Sequence, residues 1–287
     1  MKRFFRNILT VLLALVFLFS ARMFVRQQLD KVASRNSHSE ALALVATGGE
    51  TTQSVLPTVP ETAPPAPETE PETQAAPQPV WLPAPPEEED PHIRELSGMD
   101  LESLRQVNPD VVGWILIPDT AVNYPLMQGQ DNDYYLTRTW EKKSNSAGSI
   151  FLEYLNSSLL TDFNTIVYGH NMKNGSMFAE LLHYRKPEYR DAHPYIYIRS
   201  DQGVYRYEVF SAYLADVDSF TYDLRFPSTE ARAQFLSSAA DNSDFSCDVR
   251  PETTDRVLTL STCSAAGDYS TRWVVHARLK MVQLPPQ

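Results

Sequence analysis

From residue 45 to residue 91 the chain carries nine acidic residues, no Lys or Arg and 12 of its 21 prolines. Such a stretch lacks the apolar side chains whose burial offsets the entropy of ordering, so it is predicted to be disordered. Proline biases it toward polyproline II and like charges extend it, to as much as roughly 145 Å at about 3.1 Å per residue. It therefore acts as a divider. Residues 1–26 are read as a cytoplasmic tip and membrane anchor, residues 27–91 as a juxtamembrane segment and Pro/Thr/Glu-rich linker, and residues 92–287 as one folded domain. The run also holds nine of the eleven units of net negative charge, which leaves the rest of the chain nearly neutral. No basic surface for nucleic acid is expected. A proline-rich ligand for aromatic grooves is the weaker reading of the run, because such partners are mostly cytoplasmic.

At the amino terminus Lys2, Arg3 and Arg6 precede an uncharged stretch, residues 7–21, dominated by Leu, Val, Phe and Ile and closed by Arg22. Fifteen helical residues span only about 22 Å against a hydrocarbon core of roughly 30 Å, although Phe4, Phe5 and residues 23–25 lengthen the stretch if the arginines snorkel. The pattern predicts a single-pass signal-anchor in the cell membrane, with the amino terminus cytoplasmic and everything after Arg26 outside. A removed signal peptide is the alternative, and Phe19-Ser20-Ala21 is a poor cleavage site for one.

After His92, apolar residues recur at helical spacing from Ile93 to Val107, and Asn108-Pro109 stops the run. Beyond Asp110 the signals are short strands rich in β-branched and aromatic residues, at 111–117, 148–152, 165–168, 195–198, 205–214, 256–262 and 272–282. This is a mainly β domain, a barrel or a sandwich. Two helical interruptions are expected, at 176–184 and at 228–240, the second opened by Pro227-Ser228 with Glu230 in its first turn. Two cysteines, Cys247 and Cys263, are too few for a disulfide-framed module, so the fold must rest on its hydrophobic core.

Cys263 ends the β-rich run Arg256-Val-Leu-Thr-Leu-Ser-Thr-Cys and faces the turn-forming stretch Ser264-Ala-Ala-Gly-Asp268. Nine residues on, Arg272 opens the next strand, so a hairpin would bring its guanidinium back beside the sulfur. His170 follows a strand and a glycine in Ile166-Val-Tyr-Gly-His-Asn-Met172, again at a strand end. A free thiol is only a few per cent thiolate at neutral pH; nearby positive charge raises that fraction, and an imidazole can shuttle the proton. The other histidines suit structural roles. His276 lies in the period-two pattern of the last strand, His183 near a helix end, and His92 and His193 each beside a proline without metal-ligand spacing to another His, Cys or acid. No metal or cofactor is expected. Cys247 reads as a passive thiol, since a bridge to Cys263 would silence the nucleophile.

Tyr168-Gly-His-Asn171, Thr259-Leu-Ser-Thr-Cys263 and the following Arg272 resemble the motifs of sortases, the cell-wall transpeptidases of Gram-positive bacteria. Gly113-Trp-Ile-Leu-Ile, Asn123-Tyr-Pro, Asp131-Asn-Asp-Tyr-Tyr-Leu136 and Gly175-Ser-Met-Phe178 resemble the class B branch. The resemblance runs from about Leu101 to Leu279. It implies an eight-stranded barrel with an N-terminal helix and a helix between the sixth and seventh strands. Cys263 would be the nucleophile that forms a thioacyl enzyme, Arg272 would stabilise the oxyanion or the substrate backbone, and His170 would exchange protons with the leaving and incoming amines. Asn132, Leu136 and Ser261 would line the groove for the peptide. The implied partners are surface proteins or pilins bearing a C-terminal sorting signal, a peptidoglycan cross-bridge or lysine amine as acceptor, and the membrane through the N-terminal helix; no cofactor is implied. Ser264, Ala265 and Ala266 stand where many class B members carry an acidic residue. The rival readings are a cysteine peptidase or thioester hydrolase without amine transfer, and a stalked surface binding module.

Overall fold

The alternation of small or polar with large apolar residues along the domain resolves into eight strands that close on themselves. The structure, a computed structural model, describes residues 2–47, 90–263 and 270–284. Its helices are α1 (Lys2–Thr47), α2 (Pro91–Ser97), α3 (Leu101–Val107), α4 (Pro187–Ala192) and α5 (Thr229–Asp241). Its strands are β1 (Val111–Leu116), β2 (Asn123–Met127), β3 (Ile150–Leu152), β4 (Asn164–Tyr168), β5 (Tyr195–Ser200), β6 (Gly203–Asp216), β7 (Val257–Cys263) and β8 (Thr271–Gln283). They form a closed barrel in the order β1-β2-β3-β4-β7-β8-β6-β5. Two pairs, β2 with β3 and β4 with β7, are parallel, and the others are antiparallel. Closure leaves no edge strand to cover.

Ile115, Ile150, Val167, Ile198, Tyr207, Leu258 and Val275 fill the barrel. A second core lies outside it, where α1, α2 and α3 press Ala41, Val45, Leu96 and Leu104 against Trp114, Phe151 and Trp140. A third lies under α5, whose Phe235, Leu236 and Ala239 fall on one helical face and pack with Phe163, Phe210 and Tyr213. The α5 helix occupies the position expected between the sixth and seventh strands. Its start follows from Ser228, whose hydroxyl accepts from the Ala231 N–H at 3.2 Å.

Several sequence expectations need correction. The helical run expected from 93 to 107 is two helices, broken at Gly98 and restarted by Asp100, whose carboxylate accepts from the Glu102 and Ser103 N–H groups. The helix expected at 176–184 is a 3-10 turn, Ala179–Arg185, followed by α4. Strand β2 has no counterpart among the expected strands because Pro125 sits in it. The Ile117 N–H donates to the Val122 carbonyl at 2.8 Å, so by antiparallel alternation Pro125 and its partner Trp114 form a non-hydrogen-bonded pair. The ladder to β1 loses nothing. On its other side β2 pairs with β3 only at Leu126 and Met127, which leaves the proline outside that ladder as well.

The membrane span expected in residues 1–26 is not supported: among the described residues no helix is long and apolar enough to cross a membrane. α1 runs through the expected boundary at 26/27, exposing Leu13, Phe17 and Phe19 in its first half and docking its second half on the domain. The docking is specific, with the Trp140 Nε1–H on the Ser37 carbonyl at 2.8 Å and the Asn145 side-chain amide on the Asp30 carbonyl at 2.9 Å. Most of the linker predicted to be disordered, residues 48–89, lies outside the described residues, as do Ser264, Ala265, Ala266 and Asp268.

Candidate active site

The stretch Asp131-Asn-Asp-Tyr-Tyr-Leu136 builds one wall by local rules. The Asp131 carboxylate accepts from the Asp133 and Tyr134 N–H groups at 2.9 and 2.8 Å, which turns the chain into a short 3-10 segment, Tyr134–Thr137. Tyr135 anchors that segment. Its ring is fully buried, and its hydroxyl donates to Asp110 at 2.7 Å while accepting from the Asn108 amide at 2.9 Å. Asn132 and Leu136 are left facing a cavity of about 360 Å³.

His170 is brought to the same cavity by its neighbours. A Cβ on Gly169 would lie 2.4 Å from Ile150 Cδ1 and 2.7 Å from the Phe178 ring, so only glycine lets β4 pass this close to the core. The loop is pinned by the Phe178 N–H on the His170 carbonyl at 2.9 Å. The His170 Nε2 lies 2.7 Å from the Leu136 carbonyl oxygen. A carbonyl only accepts, so Nε2 carries the proton, and Nδ1 is the nitrogen that remains for proton exchange. Leu136 thus acts twice, through its place in the wall and through its backbone oxygen on the imidazole.

Strand register supplies the rest. Tyr168 at the end of β4 is the partner of Ser261 on parallel β7, and the Gly169 N–H reaches the Ser261 carbonyl at 3.2 Å. His170 and Cys263 each lie two residues further on, at the same end of adjacent strands. On the other side of β7, Cys263 is the direct partner of Arg272 on β8. His170, Ser261 and Arg272 all line the cavity together with Asn132 and Leu136. Every sequence-predicted site residue other than Cys263 is therefore seen in the cavity wall, and Cys263 follows one wall residue, Thr262, and pairs with another, Arg272. Cys247 stands apart as a free thiol, 3.5 Å from the Phe210 carbonyl.

Six wall residues were not assigned from sequence: Phe151, Tyr168, Gly169, Val217, Tyr222 and Thr262. Tyr168 belongs to the Tyr-Gly-His-Asn motif and carried a usable signal, an aromatic ending a strand beside a predicted catalytic loop. Tyr222 carried none, because it enters from the turn after β6, where its hydroxyl lies 3.0 Å from Ser261 Oγ and its ring stacks on Tyr168 at 6.5 Å. Burial, and then Glu153 beside it, push the Tyr168 phenol above its ordinary pKa, with Arg272 pulling the other way. The phenol stays protonated throughout the ordinary pH range.

A mixed eight-stranded barrel that gathers a histidine and an arginine beside a strand-ending cysteine defines a narrow class of proteins. Residues 115–280 match the Sortase domain, and the chain belongs to the sortase family of cysteine transpeptidases. It is 39% identical over 181 residues to sortase B of Listeria monocytogenes, covering 63% of this chain and 74% of that one. It is 35% identical over 184 residues to sortase B of Staphylococcus aureus, covering 64% and 74%. A solved Staphylococcus aureus sortase B–substrate complex superposes with a TM-score of 0.61 at 35% identity, over 63% of this chain and 85% of that one. Within the family, this is a class B sortase.

Proposed function

We propose that the protein cleaves a C-terminal sorting signal and transfers the acyl fragment to a cell-wall or pilin amine, with Cys263 as nucleophile, Arg272 as anion stabiliser and His170 as proton carrier. The observation that carries this reading is the register: Cys263 opposite Arg272 on β8, with His170 extending β4 at the same barrel end. The Cys263 thiolate adds to the peptide carbonyl before the scissile bond. The oxyanion that forms is met by a guanidinium that is charged at every working pH. Collapse breaks the C–N bond, His170 gives its proton to the departing amine, and a thioester remains on Cys263. An incoming amine then attacks the thioester and loses a proton to His170, which restores the thiolate beside a protonated imidazole and leaves a new amide.

Asn132, Leu136 and Ser261 are assigned to the groove that receives the peptide, a role supported by their place in the cavity wall. The proposal includes a cell-surface location, with the domain outside and Lys2, Arg3 and Arg6 on the cytoplasmic side; its support lies in the sequence alone, the three basic residues ahead of the uncharged stretch 7–21. Protease shaving of whole cells tests that part: the domain is expected to be digested from outside, and full protection in intact cells contradicts it.

Transfer is separated from hydrolysis by incubating the full chain with fluorescence-quenched pentapeptides randomised at each position, with and without triglycine. The expected outcome is an amide product that incorporates the amine. Release of free acid alone, unaffected by triglycine, indicates the hydrolase instead.

A further inference from the structure

Glu153 follows β3 and is buried, with 5% of its surface exposed, yet no Lys or Arg pairs with it among the described residues. Its carboxylate is held by donors. Oε2 accepts from the Asn132 side-chain amide at 2.5 Å and from the Tyr168 hydroxyl at 2.9 Å, and Oε1 accepts from the Leu155 N–H at 3.3 Å. Asn132 is fixed at its other end too, its Oδ1 taking the Tyr154 N–H at 3.1 Å. Burying a carboxylate without a cation is costly, and charge-assisted hydrogen bonds are what offset it. Two of the three donors come from side chains that line the cavity.

These bonds determine what the wall offers a ligand. With its Oδ1 turned to the Tyr154 N–H and one amide hydrogen given to Glu153, Asn132 has one N–H left to donate. With its only proton given to Glu153, Tyr168 has only lone pairs left. We propose that Glu153 is a positioning residue that sets the hydrogen-bonding polarity of the peptide groove, turning Asn132 into a donor and Tyr168 into an acceptor for the extended backbone of the sorting peptide. An extended peptide carries carbonyls and N–H groups in alternation, and a wall with one fixed donor and one fixed acceptor selects both its direction and its register. This inference rests on the reading of the cavity as the peptide groove.

The test compares wild type with Glu153→Gln, which keeps the volume but removes the charge, and with Tyr168→Phe, which removes one donor. The substrate is the pentapeptide that wild type selects from the randomised library. The expected result for Glu153→Gln is a KM raised about tenfold, as for loss of one charge-assisted hydrogen bond, with kcat within about threefold. Modification of Cys263 by a small methanethiosulfonate, which does not use the groove, is expected at the wild-type rate. The two substitutions combined are expected to raise KM by less than the product of their separate effects, since they break the same contact. An unchanged KM, or a fall in kcat and thiosulfonate reactivity matching any rise in KM, overturns the proposal. If wild type turns over no pentapeptide, the reading of the cavity fails, and the contact itself is then read from the 15N signals of the Asn132 side-chain amide. Glu153→Gln is expected to move them, and fixed signals overturn the positioning role independently.

Discussion

His170 and His276 show how environment divides one residue type between two tasks. His170 is only partly buried and leaves Nδ1 free for proton exchange. His276 is wholly enclosed. Thr259 gives its single proton to Asn164 at 2.7 Å, so it must accept from His276 Nδ1–H at 2.9 Å; Nε2 then accepts from the Tyr213 hydroxyl at 3.1 Å. The ring is satisfied while neutral, and burial pushes its pKa from 6.5 down to about 3. The unfolded chain takes up this proton near pH 6.5 and the folded protein only near pH 3. Stability from this group is therefore complete above pH 6.5 and is lost as the pH falls through that window. The slope for one proton is about 1.4 kcal/mol per pH unit. Urea denaturation at pH 7 and pH 4.5 checks it: His276→Gln, which does not titrate, is expected to lose less stability between the two than wild type. An equal loss contradicts the assignment. A structural role for His276 was expected from sequence, although the period-two pattern of its strand could have put it on either face. The Glu153 contacts were not expected, because Asn132, Glu153 and Tyr168 lie on three separate segments and meet only through the β3–β4 pairing and the turn before β3.

The elements repeat this division between local and non-local information. α5 was legible because its start signal is local, a Ser228 cap with Glu230 in the first turn. Ser228→Ala is expected to cost about 1 kcal/mol, measured by urea denaturation, and to leave the cavity wall unchanged. No change in stability contradicts the cap assigned here. Strand β2 was hidden for the opposite reason: a proline argues against a strand until its partners are known, and only the pairing of Pro125 with Trp114 makes it harmless. The break at Gly98 was similarly masked, since the apolar spacing continues across it while the Asp100 cap restarts the helix. The stretches proposed as catalytic stood out in the sequence for a further reason. The His170 loop, the Cys263 strand end and Arg272 each sit where a β run stops, and strand ends were identifiable even where their pairing was not.

In the whole molecule the barrel brings the ends of three separated segments side by side, and α1 adds a second layer across its outer face. Ala41 and Val45 are buried there, and the Asp100 N–H donates to the Val45 carbonyl at 3.3 Å. Deleting residues 1–47 uncovers part of the layer formed by Leu96 and Trp140. It is expected to lower unfolding stability by roughly 2–4 kcal/mol, while a barrel that unfolds at the same urea concentration contradicts the docking. The central claim is narrower and concerns the barrel end alone. Its most direct measurement is the intact mass of the protein after brief exposure to the selected pentapeptide without amine, followed by peptide mapping. The account predicts an acyl fragment on Cys263 that triglycine discharges and that Cys263→Ala never forms. Cleavage that persists in Cys263→Ala, or an adduct mapped to any other residue, contradicts it.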